Sequence, residues 1–470
     1  MRNLVFVSAL LFAISPNAQG QSDSIMVRFD SFISLVKQNH PMSRQADITM
    51  QAGEQMLKSA RGNFDPLIKS ELDNKEYGGK EYFMLNTNEL KIPTIVGLEL
   101  KAGYETNRGA YLNPENVVPD NGLAYAGFTI PLGNGLFFDE RRQALRQAQV
   151  YEKSTILERT LMLNQLIYDA TSAYWEWYVS WNVNEIFAES VTLAEIRLNG
   201  IRSSFLLGDI PAIDTLEAHI LLQTRLLNLN ESLIDLQNTS LKLSNYLWSD
   251  EQEPLMLDSM AIPENNISIN PVSIPEAALQ SIMSALDSIH PELQLYQNKL
   301  QSLDFERRMK AEKIKPKLNV SYNFLSEPVG RNPAENFTAN DYKWGFEFGM
   351  PLLLRKERGE LQLTKLKMNE TNLAIDQKRL ELQNKIQAYS MEMKVLVDQI
   401  KLYESTVTNY AMLLNGERRK FEEGESSLFL VNSRENSFIT AETKLVELYG
   451  KYQKAQASLL LAIGGNETLL

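Results

Sequence analysis

Cysteine is absent from all 470 residues. The chain therefore has no disulfide, no thiolate metal ligand and no acceptor for an N-terminal lipid, so any attachment to a membrane has to come from the fold. Long apolar runs are missing too. The leucine-rich stretches 210–236 and 428–463 are broken by charge every few residues, and a spanning helix needs about 20 consecutive apolar residues. Without such helices a chain can cross a bilayer only as a β-barrel, the other structure that satisfies its own backbone. Positive charge is in deficit, with 47 basic against 59 acidic residues and a net charge of −12. No basic surface is available for phosphates, which speaks against nucleic acid as a partner. Only three histidines occur. His40 and His290 each precede a proline at a helix start, a turn role, and His219 stands alone among leucines. No metal cluster, nucleophile elbow, phosphate-binding glycine loop or carboxylate pair is spelled out, so no catalytic, cofactor-binding or metal residue is expected.

What is present begins with an export signal. Met1-Arg2-Asn3, an apolar run from Leu4 to Ile14 and the small residues of Ala18-Gln19-Gly20 predict a signal peptide over 1–20, cleaved after Gly20. Behind it the chain is written twice. His40-Pro41 answers to His290-Pro291, and 25 residues later Pro66 answers to Pro316. Phe128-Thr-Ile-Pro131-Leu132 pairs with Phe348-Gly-Met-Pro351-Leu352, and Phe205-Leu-Leu-Gly208 with Phe421-Glu-Glu-Gly424. Each unit reads helix, strands, long helix, tight turn, helix. We place the first repeat at 21–248, a linker or equatorial region at 249–288 that opens on an acidic, Pro- and Asn-rich stretch, and the second repeat at 289–470.

The long helices keep a 3.5-residue apolar period. Leu222, Leu226, Leu229, Leu233, Leu236, Ser240, Leu243 and Leu247 step by four and three. So do Ile386, Tyr389, Met393, Leu396, Ile400, Tyr403, Val407, Tyr410 and Leu414, and then Ala441, Leu445, Leu448, Tyr452, Ala455, Leu459 and Ala462. That period holds a seam against a neighbouring helix and predicts coiled-coil packing. Gly208 and Gly424 can adopt the left-handed conformation that ends a helix, with Asp209 or Ser426 as candidate caps for the return helices. Tyr174, Trp175, Trp177, Tyr178 and Trp181 are read as packing between helices rather than as a ligand platform.

The clearest strand is 341–350, with Tyr342, Trp344, Phe346 and Phe348 on one face and Lys343, Gly345, Glu347 and Gly349 on the other; its partner is 317–325. An aromatic-rich face on strands of ~10 residues fits a tilted bilayer crossing with lipid on that face. In the first repeat 66–76 and 123–131 are the expected hairpin. Ile92, Thr94, Val96, Leu98, Leu100, Ala102 and Tyr104 alternate between them. Flanking helices on one side of the membrane require an even number of crossings. The segment 78–121 is therefore an enlarged external loop or an added hairpin, of which we prefer the loop. Four crossing strands per chain cannot close a barrel, since about eight is the practical minimum, so copies must share one.

In this order and duplicated, the His-Pro helix starts, Phe64-Asp-Pro66 and Lys315-Pro316, Ile130-Pro131-Leu132-Gly133 and Met350-Pro351-Leu352, and the run from Phe421 to Glu435 resemble the TolC-type outer-membrane efflux and secretion proteins. The resemblance implies a mainly α fold with a membrane β-barrel. It implies a homotrimer with a 12-stranded barrel in outer-membrane lipid and a periplasmic coiled-coil α-barrel closed by the helical hairpins. Its partners would be a periplasmic adaptor and an inner-membrane transporter. The other reading is a periplasmic coiled-coil adaptor or scaffold without a pore. Where relatives carry aspartates six and nine residues past the second tip glycine, this chain has Leu430 and Ser433; only Asp214, six past Gly208, matches. The expected tip and gate residues are Gly208, Asp214, Phe421, Glu422, Glu423, Gly424, Glu425 and Leu430, with Phe429 beside them.

Overall fold

The structure, a computed structural model, describes residues 25–208, 210–264, 275–327 and 337–465. The expected signal segment and the candidate cap Asp209 lie outside these residues. The chain order is β1 (Ile25–Val27), α1 (Phe29–Asn39), α2 (Pro41–Gly62), β2 (Leu67–Tyr77), β3 (Lys80–Pro93), β4 (Glu99–Arg108), β5 (Leu123–Pro131), α3 (Glu140–Leu207) and α4 (Ala212–Ser244). Then follow β6 (Ala261–Pro263), α5 (Glu276–Ile289), α6 (Pro291–Glu312), β7 (Lys317–Ser326), β8 (Tyr342–Gly349), α7 (Arg355–Glu422) and α8 (Leu428–Ile463).

The duplication carries through to the elements. α2 and α6 have 22 residues each, and α3 and α7 have 68 each, about 100 Å of helix at 1.5 Å per residue. Both His-Pro pairs start a helix in the same way. The imidazole Nδ1 of His40 accepts the N–H of Met42 at 3.1 Å, and that of His290 accepts the N–H of Glu292 at 3.2 Å. Each proline occupies a first-turn position where its missing N–H costs nothing.

The chain divides into two compact units. One comprises Met1–Val36, Ala173–Asn270 and Thr406–Gly450; the other Lys37–Ser172, Pro271–Ser405 and Lys451–Leu470. The first unit contains the aromatic cluster. Tyr174, Trp175, Trp177 and Tyr178 are buried, Phe29 and Phe32 pack on Tyr174, and the Tyr174 hydroxyl donates to the Val27 carbonyl at 2.9 Å. These rings are core. The seams are largely buried as well. Ile386, Met393, Leu396, Ile400 and Leu414 on α7, and Ala441, Leu448, Tyr452, Ala455, Leu459 and Ala462 on α8, are buried. On α4 the seam closes at Leu243 but leaves Leu226 and Leu233 exposed.

The second unit contains one antiparallel sheet of six strands, in the order β2-β3-β4-β5-β7-β8. Segment 78–121 thus supplies two further strands, β3 and β4, rather than a loop, and 66–76 does not pair with 123–131 but forms a hairpin with β3. Backbone chemistry explains the difference. Gly78 and Gly79 both have positive φ (64° and 73°) and close the β2–β3 turn, as a two-glycine hairpin turn requires. The alternation from Ile92 to Tyr104 runs across a second turn. Pro93 ends β3, Thr94 donates its N–H to the Leu98 carbonyl at 2.9 Å, and Gly97 takes φ 88°.

Candidate functional site

Period-two alternation places the side chains of the sheet on two chemically distinct faces. On one, Leu318, Val320, Tyr322 and Phe324 of β7 stand opposite Phe348, Phe346, Trp344 and Tyr342 of β8. Those four β8 residues are 51–64 % exposed. Tyr322 stacks on Tyr342 with centroids 5.6 Å apart and on Phe128 at 6.2 Å. The face continues through Ile130 and Phe128 of β5, Leu100 and Ala102 of β4, and Leu90 and Ile92 of β3. Its polar members in β2 and β3 satisfy one another: Ser70 donates to Asn88 at 2.7 Å, and Asn88 to Asn86 at 3.3 Å.

The opposite face is charged. Lys69 pairs with Glu71 at 2.6 Å, Lys91 with Glu89 at 2.9 Å, and Lys317 with Glu347 at 2.8 Å, while Asn319 donates to Glu347 at 2.9 Å. The Tyr125 hydroxyl of β5 reaches across β4 to donate to Glu89 of β3 at 2.8 Å. It can do so only because Gly103 lies beneath the ring, where any Cβ would collide with it. At the helix end of the sheet the Arg142 guanidinium donates to the carbonyls of Gly135 and Leu136 and pairs with Asp139. A Cβ on Gly97 would strike that guanidinium, so the β3–β4 turn lies against it. Arg141 adds an ion pair with Glu99 at 3.4 Å.

The hairpin turns between the long helices belong to the other unit. Gly208 (φ 85°) follows α3, and Gly424 (φ 77°) follows α7. At the second turn the N–H of Gly424 bonds the Phe421 carbonyl at 3.0 Å and that of Glu425 the Lys420 carbonyl at 2.8 Å, the paired closure of a Schellman motif. Pro211 holds the N-cap position of α4 without a side-chain bond, and Asp214 is half-buried in its first turn. Ser427, rather than the expected Ser426, meets the start of α8, accepting the N–H of Leu430 at its hydroxyl; Ser426 donates to Glu417. Phe421 packs within its own unit against Leu198, Ile201, Ala218 and Leu428. Glu422, Glu423, Glu425, Phe429 and Leu430 are exposed.

Two features of this region are not legible from motifs. Glu435 is 1 % exposed and forms ion pairs with Arg197 and, at 3.8 Å, Arg418. Beside it Arg225, 2 % exposed, reaches Asn436 at 3.3 Å and leaves Nε and Nη2 without a partner. Burial pushes the Arg225 guanidinium pKa down, and the Glu435 charge opposes that shift. The second feature is a strict seven-residue stripe on α4: Ile213, Ile220, Leu227, Ile234 and Leu241 are all 53–69 % exposed. Among the described residues no group of His, Asp or Glu could hold a metal ion, and no helix is long and apolar enough to cross a membrane.

Residues 283–465 match the family described as outer membrane efflux protein. No curated protein matches the chain at a significant level. Several solved structures share its fold. CusC, whose structures concern folding and transmembrane channel formation, aligns with a TM-score of 0.66 at 14 % identity, covering 97 % of this chain and 96 % of its own. The CmeC outer membrane channel of Campylobacter jejuni gives 0.65 at 13 %, covering 93 % and 85 %. VceC of Vibrio cholerae gives 0.63 at 12 %, covering 93 % and 96 %. The second half of the chain is thus similar to an outer membrane efflux protein domain, and nearly the whole chain has the fold of outer-membrane channels of the TolC type.

Proposed function

We propose that the chain is one subunit of a homotrimeric duct in the outer membrane. Its aromatic sheet face meets lipid, its charged sheet face lines water, and its long helices extend into the periplasm. The observation that carries this reading is the open sheet: six strands end on β2 at one edge and β8 at the other. Unpaired N–H and C=O groups at those edges are prohibitively costly in hydrocarbon, where no water replaces the missing partner. Other copies must therefore supply that partner. The exposed α4 stripe supports the same reading, because a strict heptad of aliphatic residues needs a facing helix, and no helix among the described residues covers it.

In this duct the turns at Gly208 and Gly424 form the periplasmic entrance. Phe421 is engaged in its own chain, so closure rests on Phe429 and Leu430 of facing copies, with Asp214 as the acidic contributor and Glu422, Glu423 and Glu425 at the rim. A periplasmic adaptor joins this end to an inner-membrane transporter, which supplies the energy for export. Reconstitution into planar bilayers tests the duct. The expected result is discrete conductance steps that rise several-fold in Asp214→Ala if that carboxylate restricts the entrance. A protein that stays in solution without detergent and conducts nothing would leave the poreless scaffold as the better reading.

A further inference from the structure

Resting on the three-copy reading above, we infer that the barrel wall has eighteen strands, six from each copy, with every seam formed by β2 of one copy and β8 of the next. The twelve strands implied by the resemblance would follow from four strands per chain. The added β2–β3 hairpin is built into the wall. Its partner β4 is stitched to β5 and β3 by Tyr125 lying across Gly103 to Glu89, and its lower turn is held against Arg142. β2 and β3 are 11 and 14 residues long, as long as the other crossing strands. β2 leaves the helix end of the sheet and β8 returns to it, so a β2–β8 seam is antiparallel like every other pair.

Side-chain chemistry selects the register of that seam. Face parity demands that the apolar residues Ile68 and Leu72 share a face with Tyr342, Trp344, Phe346 and Phe348. Among registers of that parity, the one that sets Leu67 opposite Gly349 brings Lys69 opposite Glu347 and Asp73 opposite Lys343. A shift of two residues one way sets Glu71 opposite Glu347 and Lys75 opposite Lys343; a shift the other way sets Asp73 opposite Asp341 and keeps only Glu71 opposite Lys343 as a favourable pair. Directly opposed like charges destabilise a strand pair, and opposite charges favour it.

The chosen register also closes a cylinder. Hydrogen-bonded partners lead from Leu67 to Lys91, Lys101, Gly127, Asn323 and Lys343. Across the seam Lys343 meets Asp73 of the next copy, so one circuit of six strands advances six residues along β2. Three copies accumulate a stagger equal to the strand number. That equality corresponds to a strand tilt of about 36°, within the range of about 35–45° seen in membrane barrels. Because diameter grows roughly linearly with strand number, the barrel is about 1.5 times as wide as a twelve-stranded one.

The absence of native cysteine makes the seam directly testable by disulfide trapping. In this register Ser70 lies opposite Phe346, within the Cα separation a disulfide accepts. Oxidised Ser70→Cys/Phe346→Cys protein in detergent is expected to run mostly as covalent trimers on non-reducing gels. Ala102→Cys on β4, combined with Trp344→Cys, Phe346→Cys or Phe348→Cys in turn, is expected to give none. Crosslinking from Ala102 but not Ser70 would overturn the proposal in favour of a twelve-strand wall with the β2–β3 hairpin outside it. Absence of crosslinks from both, in protein that is trimeric by mass, would also overturn it. Protein monomeric by mass would instead refute the three-copy reading beneath it.

Discussion

His290 is 3 % exposed and caps α6 by accepting a backbone N–H at Nδ1, which only an unprotonated nitrogen can do. Burial pushes its pKa down from 6.5 to about 4; Glu292 opposes the shift, and Lys378 and Lys385 add to it. A folded-state pKa below the unfolded value means that the unfolded chain binds more protons between the two. The contribution is therefore complete above about pH 6.5 and is lost as pH falls through about 4, by at most about 3 kcal/mol. Thermal melting from pH 7 to pH 4 should show a drop in wild type that His290→Asn, which keeps a capping acceptor, largely removes. Equal pH slopes in the two proteins would refute the assignment. At the other buried charge cluster, Glu435→Ala leaves Arg197 and Arg225 without their counter-charge. Breaking a buried pair from one side costs about 3–5 kcal/mol. The variant should lose several degrees of melting temperature, and a shift within error would show that water already solvates these guanidiniums.

At the scale of elements, Gly103 and the α4 stripe carry separate predictions. Gly103→Ala pushes the Tyr125 ring off β4 and should lower the urea midpoint of refolding into detergent more than Tyr125→Phe, which removes only the bond to Glu89. The reverse order would mean that the close approach is dispensable. Leu227→Glu places a charge in the middle of the exposed heptad. It should weaken assembly while leaving helical circular dichroism unchanged, and an unaltered trimer would exclude the stripe from the contact between copies. Much of this architecture was legible because periodicity is local. The His-Pro starts, the 3.5-residue seams and the alternation around Trp344 need no distant partner to be read. The β2–β3 hairpin was less legible. Alternation from Ile92 to Tyr104 runs without a break across the Pro93–Gly97 turn and mimics one strand, although Gly78-Gly79 did carry a hairpin signal. The buried Arg197–Glu435 pair was hidden for a different reason: a charge on a heptad helix reads as solvated until the packing of other helices against it is known.

At the scale of the whole molecule the two halves of the chain perform one architectural task twice: a capped helix, strands, and a long helix folded back at a glycine. Six strands are too few to close a barrel around water and too many unpaired edge groups remain for lipid to tolerate. A closed pore therefore depends on assembly more than on any single side chain. Light scattering on the detergent-extracted protein, corrected for bound detergent, tests this most directly. The expected particle contains three chains, and its strand signal in circular dichroism disappears together with its trimeric mass on heating. A monodisperse single chain that keeps its full strand content would rule out this assembly.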